Sequence, residues 1–71
     1  MDRLPVNSSN VASVGYDEEA SILEVEFLSS SIYRYFGVPS RHFVALTGGH
    51  VSVGQYLNTE IKPRYRYERV A

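Results

Sequence analysis

The chain has 71 residues, of which 44% are hydrophobic and 21% are charged, and its formal net charge is −1. This length fits a single domain over residues 1–71, and this composition excludes an intrinsically disordered protein. The absence of cysteine excludes disulfide bonds and thiolate metal sites. No apolar run approaches the ~18 residues of a membrane span and the polar start is unlike a signal peptide, so we expect a cytoplasmic protein with no membrane partner.

Alternation of apolar and polar residues predicts three strands in the first half of the chain, at residues 11–16, 21–28 and 32–36. The second is the clearest, because its apolar residues alternate with Glu24 and Glu26. This pattern is typical of an antiparallel strand with one face in the core.

The turn at Ser29–Ser31 decides which face the first Tyr-Arg-Tyr occupies. A two-residue turn would need a positive φ at two serines, where Asn-Gly is the usual choice, and would put Arg34 on the buried face. A three-residue loop over residues 29–31 keeps apolar residues opposite apolar ones, and we prefer it. The pairs that this loop predicts are Phe27 with Tyr33, Val25 with Tyr35, and Glu26 with Arg34.

The second half of the chain predicts two short helices and a last strand. Pro39 ends the third strand, and a helix follows over residues 40–47. Ser52 caps a second helix that extends to Asn58, and the last strand covers residues 65–70. The predicted fold class is α+β: a small antiparallel sheet, with elements in the order β-β-β-α-α-β and both short helices packed on one face.

Five segments together resemble the KTSC domain, a family named for its occurrence at the C-terminus of some lysyl-tRNA synthetases and also found as a small stand-alone bacterial protein. These segments are “PVNSSNVASVGYD”, “LEVEF”, “YRYFGVP”, “SVGQYLNTEIK” and “YRYERV”. The resemblance covers residues 3–70, and the central Tyr-x-Tyr is the marker of the family. The sequence departs from it with Ser-Ser where turn residues such as Asn-Gly are expected. No function is established for the family, and its association with the synthetase implies RNA binding.

The two Tyr-Arg-Tyr motifs are the candidate functional residues. Aromatic rings on a sheet can stack on unpaired bases while arginines contact phosphates, but tyrosines on strands more often bury their rings. The preferred hairpin register assigns Tyr33 and Tyr35 to the core and leaves the C-terminal motif as the candidate surface. The residues predicted to bind nucleic acid are Arg34, Arg64, Tyr65, Arg66, Tyr67 and Arg69.

The charges leave two arrangements open for this surface. Residues 17–26 contain five acidic residues, whereas the last ten residues contain four basic residues and one acid. If the last strand is an exposed edge, its arginines are free for phosphates. If it pairs beside the strand that carries Glu24 and Glu26, the charges neutralise each other.

No motif indicates catalysis or a cofactor. His42 and His50 have no acidic residues at metal-ligand spacing, and we expect both on the surface. The sequence has no phosphate-binding loop, dinucleotide fingerprint or nucleophile elbow. We therefore expect no catalytic, cofactor-binding or metal-binding residues, and a protein that is not an enzyme.

The favoured hypothesis is a small binding module for RNA or single-stranded nucleic acid. A domain this short buries only about 60% of its unfolded surface, so its stability margin is thin. The alternative is therefore a protein-interaction or self-assembly domain, such as a homodimer formed through a sheet edge, in which the Tyr-Arg-Tyr motifs are mainly structural.

Overall fold

A computed structural model describes residues 1–71 as one five-stranded antiparallel sheet with a helical layer. The elements are β1 (Arg3–Pro5), β2 (Val11–Asp17), β3 (Ile22–Phe27), β4 (Ile32–Phe36), α1 (Ser40–Thr47), α2 (Val53–Tyr56) and β5 (Tyr67–Arg69). The strands lie in chain order, each next to its predecessor. The predicted α+β class is confirmed, but the sequence did not predict β1, which has only three residues and ends in proline.

Alternation along the strands puts the apolar side chains on one face of the sheet, where the helices cover them. Ten buried residues form a single cluster between the sheet and the helices. They are Val11, Val14, Leu23, Val25, Tyr35, Val38, Leu46, Val53, Leu57 and Ile61. No helix is long and apolar enough to span a membrane.

The hairpin between β3 and β4 has a three-residue loop, but one position earlier than predicted. The Phe27 N–H donates to the Ser31 carbonyl oxygen, and the Ser30 N–H donates to the Phe27 carbonyl oxygen, each at 2.9 Å. The loop is therefore residues 28–30, and Ser30 has a φ of 76°. This is the geometry of a type I turn followed by a left-handed residue.

This loop makes the predicted pairing wrong by two residues. Val25 lies opposite Tyr33, not Tyr35, and Arg34 lies opposite Glu24, not Glu26. Because a shift of two residues preserves the alternation of faces, every side chain of the hairpin still points to the predicted side of the sheet.

The second helix differs from its prediction at its end. It follows Ser52, which caps it as predicted: the Ser52 hydroxyl accepts a hydrogen bond from the Gln55 N–H at 3.5 Å. It does not stop at Asn58: α2 continues directly into a π-helical segment, Leu57–Ile61, in which the Lys62 N–H donates to the Leu57 carbonyl oxygen at 2.8 Å.

The last strand pairs only with β4, so it forms an edge of the sheet. It is also shorter than predicted, beginning at Tyr67, and Tyr65 lies before it. Glu24 and Glu26 belong to β3, one strand further away. Of the two arrangements that the charges left open, the structure therefore has the exposed edge.

Candidate functional site

The six tyrosines fall into two groups according to what their hydroxyls contact. Tyr16 donates to the Val38 carbonyl oxygen, and Tyr56 and Tyr65 hydrogen-bond the two ring nitrogens of His42. The hydroxyls of the other three have no hydrogen-bond partner in the chain. These three are Tyr33, Tyr35 and Tyr67, and they lie together.

The three rings form a cluster on the core-facing side of β4 and β5. Tyr35 lies opposite Tyr67 in the β4–β5 pairing, and Tyr33 precedes Tyr35 on the same face of β4. The Tyr67 ring centroid is 5.7 Å from that of Tyr33 and 5.9 Å from that of Tyr35. Phe27 adds an edge-on contact with Tyr33, with centroids 5.6 Å apart.

These rings line an open cleft of about 720 Å³, which we call the tyrosine cleft. Its other lining residues include Leu57, Asn58 and Lys62 from the helical layer. This volume lies within the range of small-molecule sites. Seven of the fourteen lining residues are hydrophobic, and four of those seven are aromatic.

The three tyrosines differ in how deeply they are buried. Tyr35 is only 2% exposed, Tyr33 is half-buried, and Tyr67 is 58% exposed at the mouth of the cleft. Burial, with smaller effects from Tyr33 and Tyr67, raises the pKa of Tyr35 to about 12. The Tyr35 hydroxyl therefore stays protonated. It has no hydrogen-bond partner in the chain, yet every fully buried side-chain polar atom has one, so this hydroxyl is accessible from the cleft.

The electrostatic character of the cleft is neutral to positive. No carboxylate lines it, and the Lys62 ammonium lies 5.4 Å from the centroid of the Phe27 ring. Arg69 lies opposite Tyr33 in the β4–β5 pairing, so it is on the same face of the sheet as the cleft. The site suits a flat, neutral or anionic ligand better than a cation.

The structure does not bring the six predicted nucleic-acid-binding residues together. Tyr67 is in the cleft, and Arg69 lies on the same face. Arg34 is on the opposite face of the sheet, where its Nε donates to the buried carboxylate of Glu24 at 2.9 Å. Its charge is therefore already paired.

The other three predicted residues are also elsewhere. The Arg66 guanidinium lies 5.5 Å from the centroid of the Phe36 ring. Arg64 lies 3.9 Å from the Glu60 carboxylate, an exposed pair. Tyr65 is half-buried, and its hydroxyl is 3.1 Å from the His42 Nε2 atom.

Sequence reasoning missed Lys62 and the exposed side of Tyr33 as parts of the site. The alternation of β4 correctly predicted that Tyr33 and Tyr35 face inward, and Tyr35 is buried as expected. Strand alternation could not show that Lys62 and Tyr33 line one cleft, because that depends on how the helical segments pack against the sheet.

His42 is buried, contrary to the prediction that both histidines lie on the surface. It is 3% exposed, and the Tyr56 hydroxyl oxygen lies 2.7 Å from its Nδ1 atom. His50 is exposed, as predicted. Burial, with a smaller effect of Arg41, lowers its pKa below 6.5. Both ring nitrogens are engaged, so His42 is not available to a ligand.

No group of three or more His, Cys, Asp or Glu side chains is arranged to hold a metal ion. The only buried carboxylate, that of Glu24, is bound by Arg3 and Arg34. The tyrosine cleft, lined by the three tyrosines whose hydroxyls have no partner in the chain, is therefore the candidate site.

Comparisons with known proteins agree with this fold. The family model described as KTSC domain matches residues 7–65. An uncharacterized protein of Stutzerimonas stutzeri is 45% identical over 71 residues, which cover 99% of each chain. A protein of Tsukamurella paurometabola is 37% identical over 62 residues, covering 87% of this chain and 91% of its own.

The fold is also similar to a crystal structure of a KTSC domain protein from Yersinia pestis. The TM-score is 0.90 at 33% sequence identity, and the match covers 99% of this chain and 97% of the other. Tyr67 and Arg69 lie beyond the residues that the family model matches.

Proposed function

Since the chain belongs to the KTSC domain family, we propose that it is a non-enzymatic cytoplasmic binding module that takes an unpaired base of single-stranded RNA into the tyrosine cleft. The single observation that carries this proposal is the set of three clustered tyrosines whose hydroxyls have no partner in the chain and whose rings line an open cleft. The resemblance implies an association of KTSC domains with the C-terminus of some lysyl-tRNA synthetases. This association is the reason for proposing RNA as the ligand.

The chemistry of the cleft supports a base as the ligand. The exposed ring of Tyr67 offers a stacking surface, and such stacking contributes about 1–3 kcal/mol per base. The hydroxyls of Tyr33 and Tyr35 can donate to or accept from the polar edge of a base that enters the cleft.

The proposed set of phosphate contacts is smaller than the sequence suggested. Arg34 is paired with Glu24, Arg64 lies near Glu60, and Arg66 does not line the cleft. Lys62 lines it, and Arg69 is on the same face of the sheet. Two phosphate contacts predict a slope of roughly −1.4 for log affinity against log salt on a single strand, whereas four would give roughly −3.

Replacement of Tyr67 tests the site. Tyr67→Ala removes the stacking ring, so we expect a loss of affinity for a fluorescent single-stranded RNA of roughly 5- to 100-fold, measured by anisotropy titration in low salt. Tyr67 is exposed, so the variant should remain folded.

The matched control is Tyr67→Phe, which keeps the ring and should retain most of the affinity. Arg66→Ala removes a basic residue outside the cleft and should leave binding nearly unchanged. Absence of binding to the unmodified chain in low salt, or equal affinities for the Ala and Phe variants of Tyr67, would refute the proposal.

A second candidate function is self-assembly, because β5 has a strand neighbour on one side only. Two such edges could pair and form a homodimer, with the exposed side chains of Leu28 and Val70 nearby. Sedimentation analysis over a wide concentration range tests this candidate, and a strict monomer would exclude it.

A further inference from the structure

All the side-chain amides of the chain line one groove. The sequence contains only three asparagines and one glutamine, and all four border the same concavity of about 430 Å³. They are Asn7, Asn10, Gln55 and Asn58. We call this concavity the amide groove.

The groove forms where two distant segments meet. Asn7 and Asn10 belong to the connection between β1 and β2, and Gln55 and Asn58 belong to α2 and the π-helical segment. The two segments are close at Gly54, where a Cβ would lie in ordinary van der Waals contact with the Nδ2 atom of Asn10, at 3.7 Å. The chain fold thus concentrates amides that are far apart in sequence.

The four side-chain amides are exposed and form no hydrogen bonds within the chain. The neighbouring Ser8 hydroxyl, in contrast, accepts from the N–H groups of Asn10 and Val11. The backbone of this connection is therefore fixed by serine, and the amides are left free to contact something else.

The amide groove is continuous with the tyrosine cleft. Ser9, Asn10, Gly54 and Asn58 line both concavities. The lining of the groove contains no charged residue and only one hydrophobic residue. A ligand seated in the cleft would therefore reach directly into a neutral surface of amides and hydroxyls.

We propose that the amide groove reads the polar edge of an unpaired base next to the base that stacks in the tyrosine cleft. This inference rests on the proposed function, and it adds that the protein distinguishes bases. A side-chain amide presents a donor and an acceptor side by side, which matches the paired donor and acceptor on a base edge. Without a charge, the groove contributes selectivity for bases and little attraction for phosphate.

The amides give this proposal a direct spectroscopic readout. The ¹H–¹⁵N spectrum of the chain contains side-chain NH₂ signals from only these four residues. We expect the signals of Asn10 and Asn58 to shift when short oligonucleotides of A, C or U are added, and to shift most with the tightest-binding base.

The control for this readout is Glu19→Gln, an exposed position in the β2–β3 turn that lines neither concavity. It adds a fifth NH₂ signal, which should not move. Because base discrimination by one amide is worth about 5- to 100-fold, Asn58→Ala should reduce the affinity ratio between the best and the worst oligonucleotide by a similar factor.

The outcomes separate this inference from the proposed function. If Tyr67→Ala weakens binding of every oligonucleotide but the amide signals stay still and Asn58→Ala leaves the ratio unchanged, the tyrosine cleft stands and base reading is refuted. If the preference is for ribose over deoxyribose and not for a base, the groove contacts sugar and the inference is refuted. If a proline-rich peptide but no oligonucleotide binds, both proposals fall.

Discussion

At the scale of single residues, Glu24 has the only buried carboxylate of the molecule. It is 4% exposed, and its carboxylate is bound by Arg3 on one side and Arg34 on the other. Arg3 belongs to β1 and must cross over β2 to reach it, and it does so above Gly15. A Cβ on Gly15 would lie 2.7 Å from the Asp2 carbonyl oxygen and 2.9 Å from the Arg3 Cγ atom, so a glycine is needed there.

The burial of Glu24 is tolerated because both arginines compensate for it. Burial alone would raise the pKa of this carboxyl, but hydrogen bonds from Arg34 and Arg3, together with their charges, lower the pKa below 4.5. The carboxylate therefore remains ionised at neutral pH and links three strands through two cations.

Replacement of Glu24 should be costly. Glu24→Gln leaves both arginines without their charged partner, and we expect a loss of about 2 kcal/mol in the free energy of unfolding, measured by urea denaturation. This is less than for a fully buried ion pair, because Arg34 is half exposed and can regain water.

The matched control for this substitution is Glu68→Gln. Glu68 lies opposite Arg34 on the other side, but it is exposed and forms no salt bridge. Its replacement should change the free energy of unfolding by less than about 0.5 kcal/mol. Equal effects of the two substitutions would contradict the role assigned to Glu24.

At the scale of elements, the β3–β4 hairpin shows what strand patterns can and cannot predict. The alternation of Leu23, Val25 and Phe27 correctly predicted the inward face, because side chains alternate with a period of two. The pairing partners were wrong by two residues, because the loop conformation, and not the strand pattern, sets the register. Any shift by an even number satisfies the same alternation.

The loop contains a serine in a strained backbone conformation, and a glycine at this position would remove the strain. Ser30 has a φ of 76°, a conformation that costs a residue with a side chain roughly 1 kcal/mol relative to glycine. Ser30→Gly should therefore stabilise the protein by up to about 1 kcal/mol, measured as a higher urea midpoint with an unchanged slope.

Ser29→Gly provides the comparison, since Ser29 does not have a positive φ. Glycine at that position only increases the freedom of the unfolded chain and should be neutral or destabilising. If Ser29→Gly stabilised the protein as much as Ser30→Gly, the loop assigned to residues 28–30 would be incorrect.

Sequence patterns also predict the helical segments only in part. The sequence correctly predicted a helix after Ser52, and Val53 and Leu57 are buried. It did not predict the change from α to π geometry at Leu57, which brings Ile61 into the core and sets Lys62 beside Phe27. Helix propensities of single residues do not predict this change, because it depends on packing against the sheet.

At the scale of the whole molecule, His42 connects parts of the fold that are far apart in sequence. It belongs to α1, and its ring nitrogens contact the hydroxyls of Tyr56 in α2 and Tyr65 in the segment before β5. A neutral imidazole offers one donor and one acceptor, so one hydroxyl donates to the ring and the other accepts from it. Protonation would replace the acceptor with a second donor.

This connection predicts a dependence of stability on pH. Burial lowers the pKa of His42 in the folded state, Arg41 and Arg64 act in the same direction, and Glu60 opposes them. Because the unfolded state binds the proton more readily, the stabilisation is fully present above about pH 6.5 and is lost as the pH falls through the lower pKa of the folded state.

Urea denaturation at pH 7.5 and pH 5.5 measures this effect. We expect a lower free energy of unfolding at pH 5.5, and His42→Gln should remove most of the difference. His50→Gln, at an exposed position, should retain it. The contribution of Glu24 is separable, because its pKa is below 4.5 and it is lost only in more acidic solution.

The sequence by itself determined the fold class, the inward faces of β3 and β4 and the resemblance to the KTSC family. These follow from alternation, helix spacing and short motifs, all of which are local. Only the tertiary structure decided that Tyr33, Tyr35 and Tyr67 keep free hydroxyls in a shared cleft while Tyr65 turns to His42. The physical reason is that neighbouring residues in one motif acquire different partners when a strand begins between them, as β5 does at Tyr67.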